Sequence, residues 1–223
     1  LIATGAGIAA KLLAPKAKGK QLAQQERLYL TIDPRAARKQ VFGLTAAATD
    51  VRYEEWYGTN QEYLSRIVVL ASHKLQEVRE IRFDDKIAWT AAGGVQGEFS
   101  GYLTVDVVLE GNASNTININ GGSKWGSTRR LTGCAYIHLK YKVTGNTKKA
   151  TSPFSSGITN RVTVIVAGRL LYDPRRDDTV AGGSGPQRAD DQSTWEWQSD
   201  TKGRNLPLHI LNYLMGWRIN GKL

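Results

Sequence analysis

The stretch Phe154-Ser155-Ser156-Gly157-Ile158-Thr159-Asn160, continuing through Arg161-Val162-Thr163-Val164-Ile165-Val166-Ala167-Gly168 to Arg169-Leu170-Leu171-Tyr172-Asp173-Pro174-Arg175, decides the fold class. Val162-Thr163-Val164-Ile165-Val166 is an unbroken β-branched run, and branching at Cβ suits a pleated, packed surface better than a helix. Gly157 supplies a backbone that tolerates positive φ before the strand. Gly168 and Asp173-Pro174 punctuate the return from the strand. The reading is a turn, a buried strand and a tight strand end, with residues 161–172 forming a hairpin. Five β-branched residues at an exposed edge would invite aggregation, so the strand is predicted to lie inside the β core.

Outward from this strand, the same signals recur. Tyr63-Leu64-Ser65-Arg66-Ile67-Val68-Val69-Leu70-Ala71-Ser72-His73 holds a continuous apolar block, as expected of a strand covered on both faces. Residues 78–89 alternate and read as one half-buried strand ended by the Gly93-Gly94 and Gly97 cluster. Residues 102–110 set Leu103, Val105, Val107 and Leu109 against Thr104, Asp106, Val108 and Glu110, a one-faced strand. Residues 135–143 alternate again, and residues 116–120, like residues 28–32 and 39–44, offer short β-type runs. Trp56 and Tyr57 fall in a loop on this reading. Many short strands with frequent turn residues indicate a mainly β domain, a barrel or a sandwich.

The two ends differ. Residues 1–25 are Ala-rich, carry Lys11, Lys16, Lys18 and Lys20, and have no apolar stripe long enough to fold alone. Ile8, Leu12 and Leu13 form their short apolar face. Residues 173–200 contain Arg175-Arg176-Asp177-Asp178 and Gly182-Gly183-Ser184-Gly185-Pro186 and read as a connector. Residues 206–217 are the best helix: Asn205 as cap, Pro207 in the first turn, Gly216 as stop, and Leu208, Leu211, Leu214 and Met215 on one apolar face. The organisation is thus an arm over residues 1–26, a β-rich domain over 27–175 with room for an inserted subdomain near 93–133, and a connector and helix over 176–223. Leu1 is not a Met, and the end at Leu223 carries no stop signal, so the expectation is a piece of something longer.

Composition narrows the function classes. The 223 residues carry 41% hydrophobic and 22% charged residues, enough apolar content for a core and too little charge for a disordered chain. A single Cys, Cys134, rules out an intramolecular disulfide framework and a Cys-based metal cage, and its apolar surroundings favour an inert buried thiol. The N-terminal apolar stretch is interrupted by Lys11 and falls short of the roughly 20 residues that a membrane span needs. A net charge of +10 raises the question of nucleic acid. The lysines cluster at residues 11–20 and 140–149, Asp84-Asp85, Asp177-Asp178 and Asp190-Asp191 interrupt the rest, and no DNA-reading motif occurs.

Catalytic signals are sparse. His73, His138 and His209 lack metal-ligand spacing and read as packed or surface imidazoles. Gly121-Gly122-Ser123-Lys124 lacks the leading glycine and the helix of a phosphate loop. The acidic pairs lack the spacing of a calcium loop and read as solvated acids. Carboxylates distant in sequence remain candidates for sugar hydrolysis only through folding. No catalytic residue, cofactor or metal is expected. Trp195, Trp197, Tyr213 and Trp217 gather near the C-terminus, where they either anchor an interface or close a core around the helix.

Five blocks in order carry a family resemblance. They are Ile32-Asp33-Pro34-Arg35 through Gly43; residues 63–73 with Glu80-Ile81-Arg82-Phe83-Asp84-Asp85; Leu131-Thr132-Gly133-Cys134-Ala135-Tyr136-Ile137; the opening stretch, of the form F-x-S-G-I-x-N … Y-D-P-R; and Asn205-Leu206-Pro207-Leu208-His209-Ile210-Leu211-Asn212-Tyr213-Leu214. The chain resembles the central tail-tip (host-specificity, tip-attachment) proteins of long-tailed, non-contractile bacteriophages, over the hub portion. One departure is that Leu206 separates Asn205 from Pro207.

The resemblance implies a hub-type β core arranged as a homotrimer about the tail axis. It implies a virion structural protein at the distal tail end, assembled in the host cytoplasm. Its partners would be the distal tail protein, other tail-tip proteins and the tape measure protein. A portion beyond this chain would reach the host receptor, and the trimer would close the tube until attachment and then pass DNA. Ile8, Leu12, Leu13, Lys16, Lys18, Trp195, Trp197, Tyr213 and Trp217 are the candidate interface residues. The competing classes are a wall-degrading tail enzyme and a nucleic-acid-binding module.

Overall fold

The structure is a computed structural model that describes residues 39–47, 49–115, 117–119, 124–126, 128–143, 152–155, 157–197 and 205–219. It is mainly β, built as two antiparallel sheets with one C-terminal helix and, among the described residues, no closed barrel. In chain order the strands are β1 (Leu44–Ala47), β2 (Asp50–Tyr57), β3 (Tyr63–Ala71), β4 (Glu77–Phe83), β5 (Lys86–Thr90), β6 (Gly94–Val95), β7 (Leu103–Val108), β8 (Ala135–Lys142) and β9 (Val162–Ala167). The helix α1 spans Leu206–Met215. One sheet has the order β1-β9-β4-β5-β6 and the other β2-β3-β8-β7. The larger apolar cluster mixes Ile81, Phe83, Val162, Val164 and Val166 of the first with Leu64, Val68, Leu70, Ile137, Leu139 and Tyr141 of the second, so the sheets face each other as a sandwich.

β9 is buried as its composition predicts: Val162, Val164, Val166 and Ala167 face the core. It lies between β1 and β4, with Val164 opposite Ala47 on one side and Ile81 on the other. The expected hairpin over residues 161–172 does not form, because both edges of β9 are already paired. The chain instead turns away at Gly168 and Arg169, whose N–H groups bond Gly43 O and Val41 O. A Cβ at Gly168 would sit 2.4 Å from the Val41 carbonyl oxygen, so only glycine permits this approach. Gly157 takes φ 122, the positive-φ role read from the sequence.

Residues 78–89 are two strands rather than one. Phe83 pairs with Lys86, leaving Asp84 and Asp85 as a two-residue turn with φ 46 and 70. That is the primed turn that matches strand twist, usually marked by Asn-Gly or Asp-Gly. Thr159 donates to Asp84 (2.9 Å) and Arg161 to Asp85 (3.0 Å), which holds both aspartates there. Trp56 and Tyr57 also move: they end β2, an edge strand whose charged residues concealed it from a propensity reading. Residues 39–42 are irregular and Gly43 is a bend, rather than strand, and residues 117–119 are irregular, with Ile117 and Ile119 buried.

β8 alternates in sequence yet is covered on both faces. Its second face meets a smaller cluster of Tyr57, Ile67, Val108, Ile117, Ile119, Trp125 and Tyr136. α1 starts where it was read and ends two residues earlier, at Met215, with the expected caps: Asn205 accepts from Leu208 N, Pro207 lies in the first turn, and Gly216 N bonds Tyr213 O. Its orientation differs from the expected face. Leu208 and Asn212 are buried, whereas Leu214 is 76% exposed.

Candidate assembly interface around the C-terminal helix

The helix is fastened to the β body by buried polar groups. Asn212 is fully buried, accepts the Tyr172 N–H (2.8 Å) and donates to the Tyr172 carbonyl (2.8 Å) and to Leu208 O (2.9 Å). Its amide thus pairs with backbone as a neighbouring strand would, and satisfies a segment that has left the sheet. This pairing rotates α1 about its axis: with Asn212 turned inward, Leu206, Ile210, Tyr213 and Leu214 turn outward.

Arg169 makes the second fastening. Its guanidinium is fully buried, with its carbon 5.4 Å from the Phe42 ring centroid, 5.6 Å from Trp195 and 4.9 Å from Trp217. It donates to Gln40 Oε1 (2.9 Å) and to Gly216 O (2.7 Å), so one side chain joins the N-terminal bend to the helix end. Burial pulls its pKa down to about 10. Ring faces and carbonyl dipoles replace a carboxylate here.

His73 fixes the same bend from below. Its Nε2 accepts the Val41 N–H (2.8 Å), so that nitrogen carries no proton, and Nδ1 donates to Lys74 O (2.7 Å). Burial, with the Arg169 charge in addition, depresses its pKa to about 4 against a backbone hydrogen bond that opposes the shift. The imidazole is neutral. His209 packs against Phe42, with the ring centroids 5.2 Å apart and the planes tilted by 31°.

The connector read from residues 173–200 is a loop with a polar interior. Asp173 caps a single helical turn by accepting from Arg175 N (3.0 Å) and pairs with the Arg175 side chain (2.6 Å), which holds its carboxyl below the usual range. Gln187 accepts from Asp173 N (2.7 Å). Tyr172 donates to Asp177 Oδ2 (2.7 Å); burial first, and then that carboxylate, push its hydroxyl up to about 12. Few apolar residues are needed because Asp173, Asp177 and Gln187 are themselves buried and bonded.

The aromatic candidates divide. Trp195 is buried, with Trp217 at 6.0 Å and Tyr172 at 6.2 Å, and its indole donates to Arg188 O (2.8 Å). Trp217 is half-buried against Arg169 and His73, and Trp197 is half-buried. Tyr213 is 62% exposed on the outer face of α1. Ile8, Leu12, Leu13, Lys16 and Lys18 lie outside the described residues. The outer face also carries Leu206 at 64%, Ile210 at 52% and Leu214 at 76% exposed, a stripe spaced i, i+4, i+7, i+8 of which the sequence reading turned Leu214 inward.

A second constellation was not read from the sequence. Asp106 Oδ2 meets His138 Nδ1 (2.9 Å), His138 Nε2 meets Ser65 Oγ (3.0 Å), and Ser65 Oγ donates to Tyr57 OH (3.2 Å). One residue from each strand of the β2-β3-β8-β7 sheet makes this line. It borders a cleft of about 430 Å³ lined also by Thr104, Asn115, Asn118 and Lys140. The order matches an acid–imidazole–hydroxyl relay. Ser65, however, is fully buried under Tyr57, so its oxygen cannot reach a substrate in this arrangement. Cys134 is half-buried rather than buried. Among the described residues, no group of His, Cys, Asp and Glu could hold a metal ion, and no helix is long and apolar enough to cross a membrane.

No family model matches the chain, and no curated protein matches it. Among solved structures, a chain in the virion of a native gene transfer agent (GTA) particle is similar over 63% of this chain, at 15% identity and a TM-score of 0.44. The chain spans 28% of that neighbour's length.

Proposed function

We propose that the chain is a virion structural protein, the hub portion of a tail-tip protein of a long-tailed, non-contractile phage. It acts as a homotrimer about the tail axis, joins the tail tube and its distal ring to a receptor-binding portion, closes the tube, and passes DNA after attachment. The distal tail protein and the tape measure protein are its neighbours at the far end of the tail.

One observation carries the reading. Four of the five sequence blocks behind the resemblance are hydrogen-bonded to one another, at two buried joints and one exposed one. Val41 of the first block donates to His73 of the second (2.8 Å), Thr159 of the fourth donates to Asp84 of the second (2.9 Å), and Tyr172 of the fourth pairs with Asn212 of the last (2.8 Å). The resemblance therefore rests on residues that frame the molecule, which supports a shared scaffold.

The same proposal assigns no catalytic site. The one relay-like line, Asp106–His138–Ser65, favours a hydrolase in order but not in access, because Ser65 is sealed. Zymography on peptidoglycan separates the readings: no clearing is expected, and clearing that disappears in Ser65→Ala would replace the structural reading with an enzymatic one. Gel shifts across a salt series test the nucleic-acid class, whose signature is a steep fall in affinity with salt. Sedimentation and negative-stain imaging of a longer chain that includes the C-terminal portion test the proposal directly. A threefold cone is expected, and a monodisperse monomer at micromolar concentration would overturn it.

A further inference from the structure

The outer face of α1 is apolar and unpartnered among the described residues. Leu206, Ile210, Tyr213 and Leu214 stand 52–76% exposed along two turns, while the opposite side of the helix is pinned by Asn212 and Leu208. The helix cannot roll to bury this stripe without breaking both bonds between Asn212 and Tyr172. A covering element must come to it.

Three observations indicate which element. Residues 1–25 carry no acidic residue, four lysines, and the apolar set Ile8, Leu12, Leu13, whose i, i+4, i+5 spacing matches one helical face. Ala and Gly around that set allow close approach to another helix. Next, the described chain begins at Lys39, downstream of the segment, and its following residues lie against α1: Gln40 is tied through Arg169 to Gly216, and Phe42 packs against His209. Last, the exposed Asp190 shares a hollow of about 280 Å³ with Met215, at the same end of the helix, and Arg218, and the exposed Asp191 follows it in sequence. A basic apolar segment finds there both a greasy stripe and acidic neighbours.

We infer that the outer face of α1 is the docking site for the N-terminal arm, residues 1–25, of a neighbouring copy of this chain. The inference rests on the assembly reading above and names its contact. Twenty-six Cα–Cα steps separate Leu13 from Lys39, a reach of up to ~85 Å when extended, enough to cross to an adjacent subunit. Ile8, Leu12 and Leu13 seat against Ile210, Tyr213 and Leu214, and Lys16 and Lys18 face Asp190 and Asp191.

The test uses the full chain carrying a photo-crosslinking amino acid in place of Leu12, mixed from isotopically light and heavy preparations. Mass spectrometry of the crosslinked peptides is expected to join position 12 to residues 205–218, with light–heavy pairs showing that the two partners come from different copies. Leu214→Asp, at an exposed position, should cut this crosslink at least tenfold while far-ultraviolet circular dichroism and the melting midpoint stay unchanged. Crosslinks confined to light–light and heavy–heavy pairs, or directed to any other surface, would overturn the inference. So would a crosslink insensitive to Leu214→Asp in a chain that remains folded. A cone seen in the longer chain together with no crosslink at α1 would sink this contact and leave the tail-tip reading standing.

Discussion

The β sandwich and the C-terminal joint are held by opposite means. The sandwich is closed by apolar side chains, with Leu64, Val68, Ile137 and Leu139 facing Ile81, Val164 and Val166 across two sheets. The joint has a buried guanidinium, two buried carboxamides, a neutral imidazole and two buried carboxylates where a core would have leucines. Apolar packing is non-directional and tolerates volume-conserving change; hydrogen-bonded groups fix an orientation and are costly to leave unmade. The joint uses that property. Asn212 sets the rotation of α1, and that rotation is what turns an apolar stripe outward.

The sharpest way to break the contrast is to place a charge in the sandwich. Val164 is fully buried between β1 and β4, and Val164→Asp leaves a carboxylate with no partner. The expected loss is at least ~4 kcal/mol, and soluble folded protein should be absent from the expression fraction. Soluble, cooperatively melting Val164→Asp would remove β9 from the core.

Next in size is the joint. Asn212→Ala strands the N–H and the carbonyl of Tyr172 in a buried setting, at about 1–3 kcal/mol for each group. A loss of about 3 kcal/mol is expected by denaturant titration, with the sandwich still folded. A loss under about 0.5 kcal/mol would mean that the amide orients nothing.

The joint also differs from the sandwich in its response to pH. His73 has a folded pKa of about 4 against 6.5 for the free side chain. Between those values the unfolded chain takes up a proton that the folded chain refuses. The contribution is therefore complete above pH 6.5, fades as pH falls, and is gone below about 4, a swing of about 3 kcal/mol. His73→Gln should flatten that slope between pH 6.5 and 4 in melts of otherwise identical samples. An unchanged slope would show that His73 does not carry it.

The smallest expected effect on stability falls on the outer face. Leu214→Asp changes an exposed side chain and should move the unfolding free energy by no more than about 0.5 kcal/mol. Sedimentation should nevertheless show weaker self-association than in the parent chain.

Legibility in the sequence divides along the same line. Apolar pattern announced β3, β7 and β9, and cap chemistry announced α1 from Asn205, Pro207 and Gly216. Side-chain pattern hid β2, because Arg52, Glu54 and Glu55 occupy an edge strand, and hid the Asp84–Asp85 turn, because neither position holds the usual glycine. The helix face was misread for a physical reason. Periodicity counts apolar residues, and here a buried Asn outranks Leu214 because it satisfies the backbone of Tyr172. The line Tyr57–Ser65–His138–Asp106 was out of reach altogether, since only sheet register brings residues so distant in sequence onto one face.

Site-resolved native-state hydrogen exchange tests the central contrast most directly, with the amides of Tyr172 and α1 compared against those of Val164 and Ile137. If buried polar bonds make the helix part of the frame, its slowest amides open with free energies close to those of the sandwich. In Asn212→Ala they should then drop below the sandwich by about 3 kcal/mol, the cost of the two stranded groups on Tyr172. Amides of α1 that already exchange through local opening in the parent chain, several kcal/mol below the sandwich, would contradict the account.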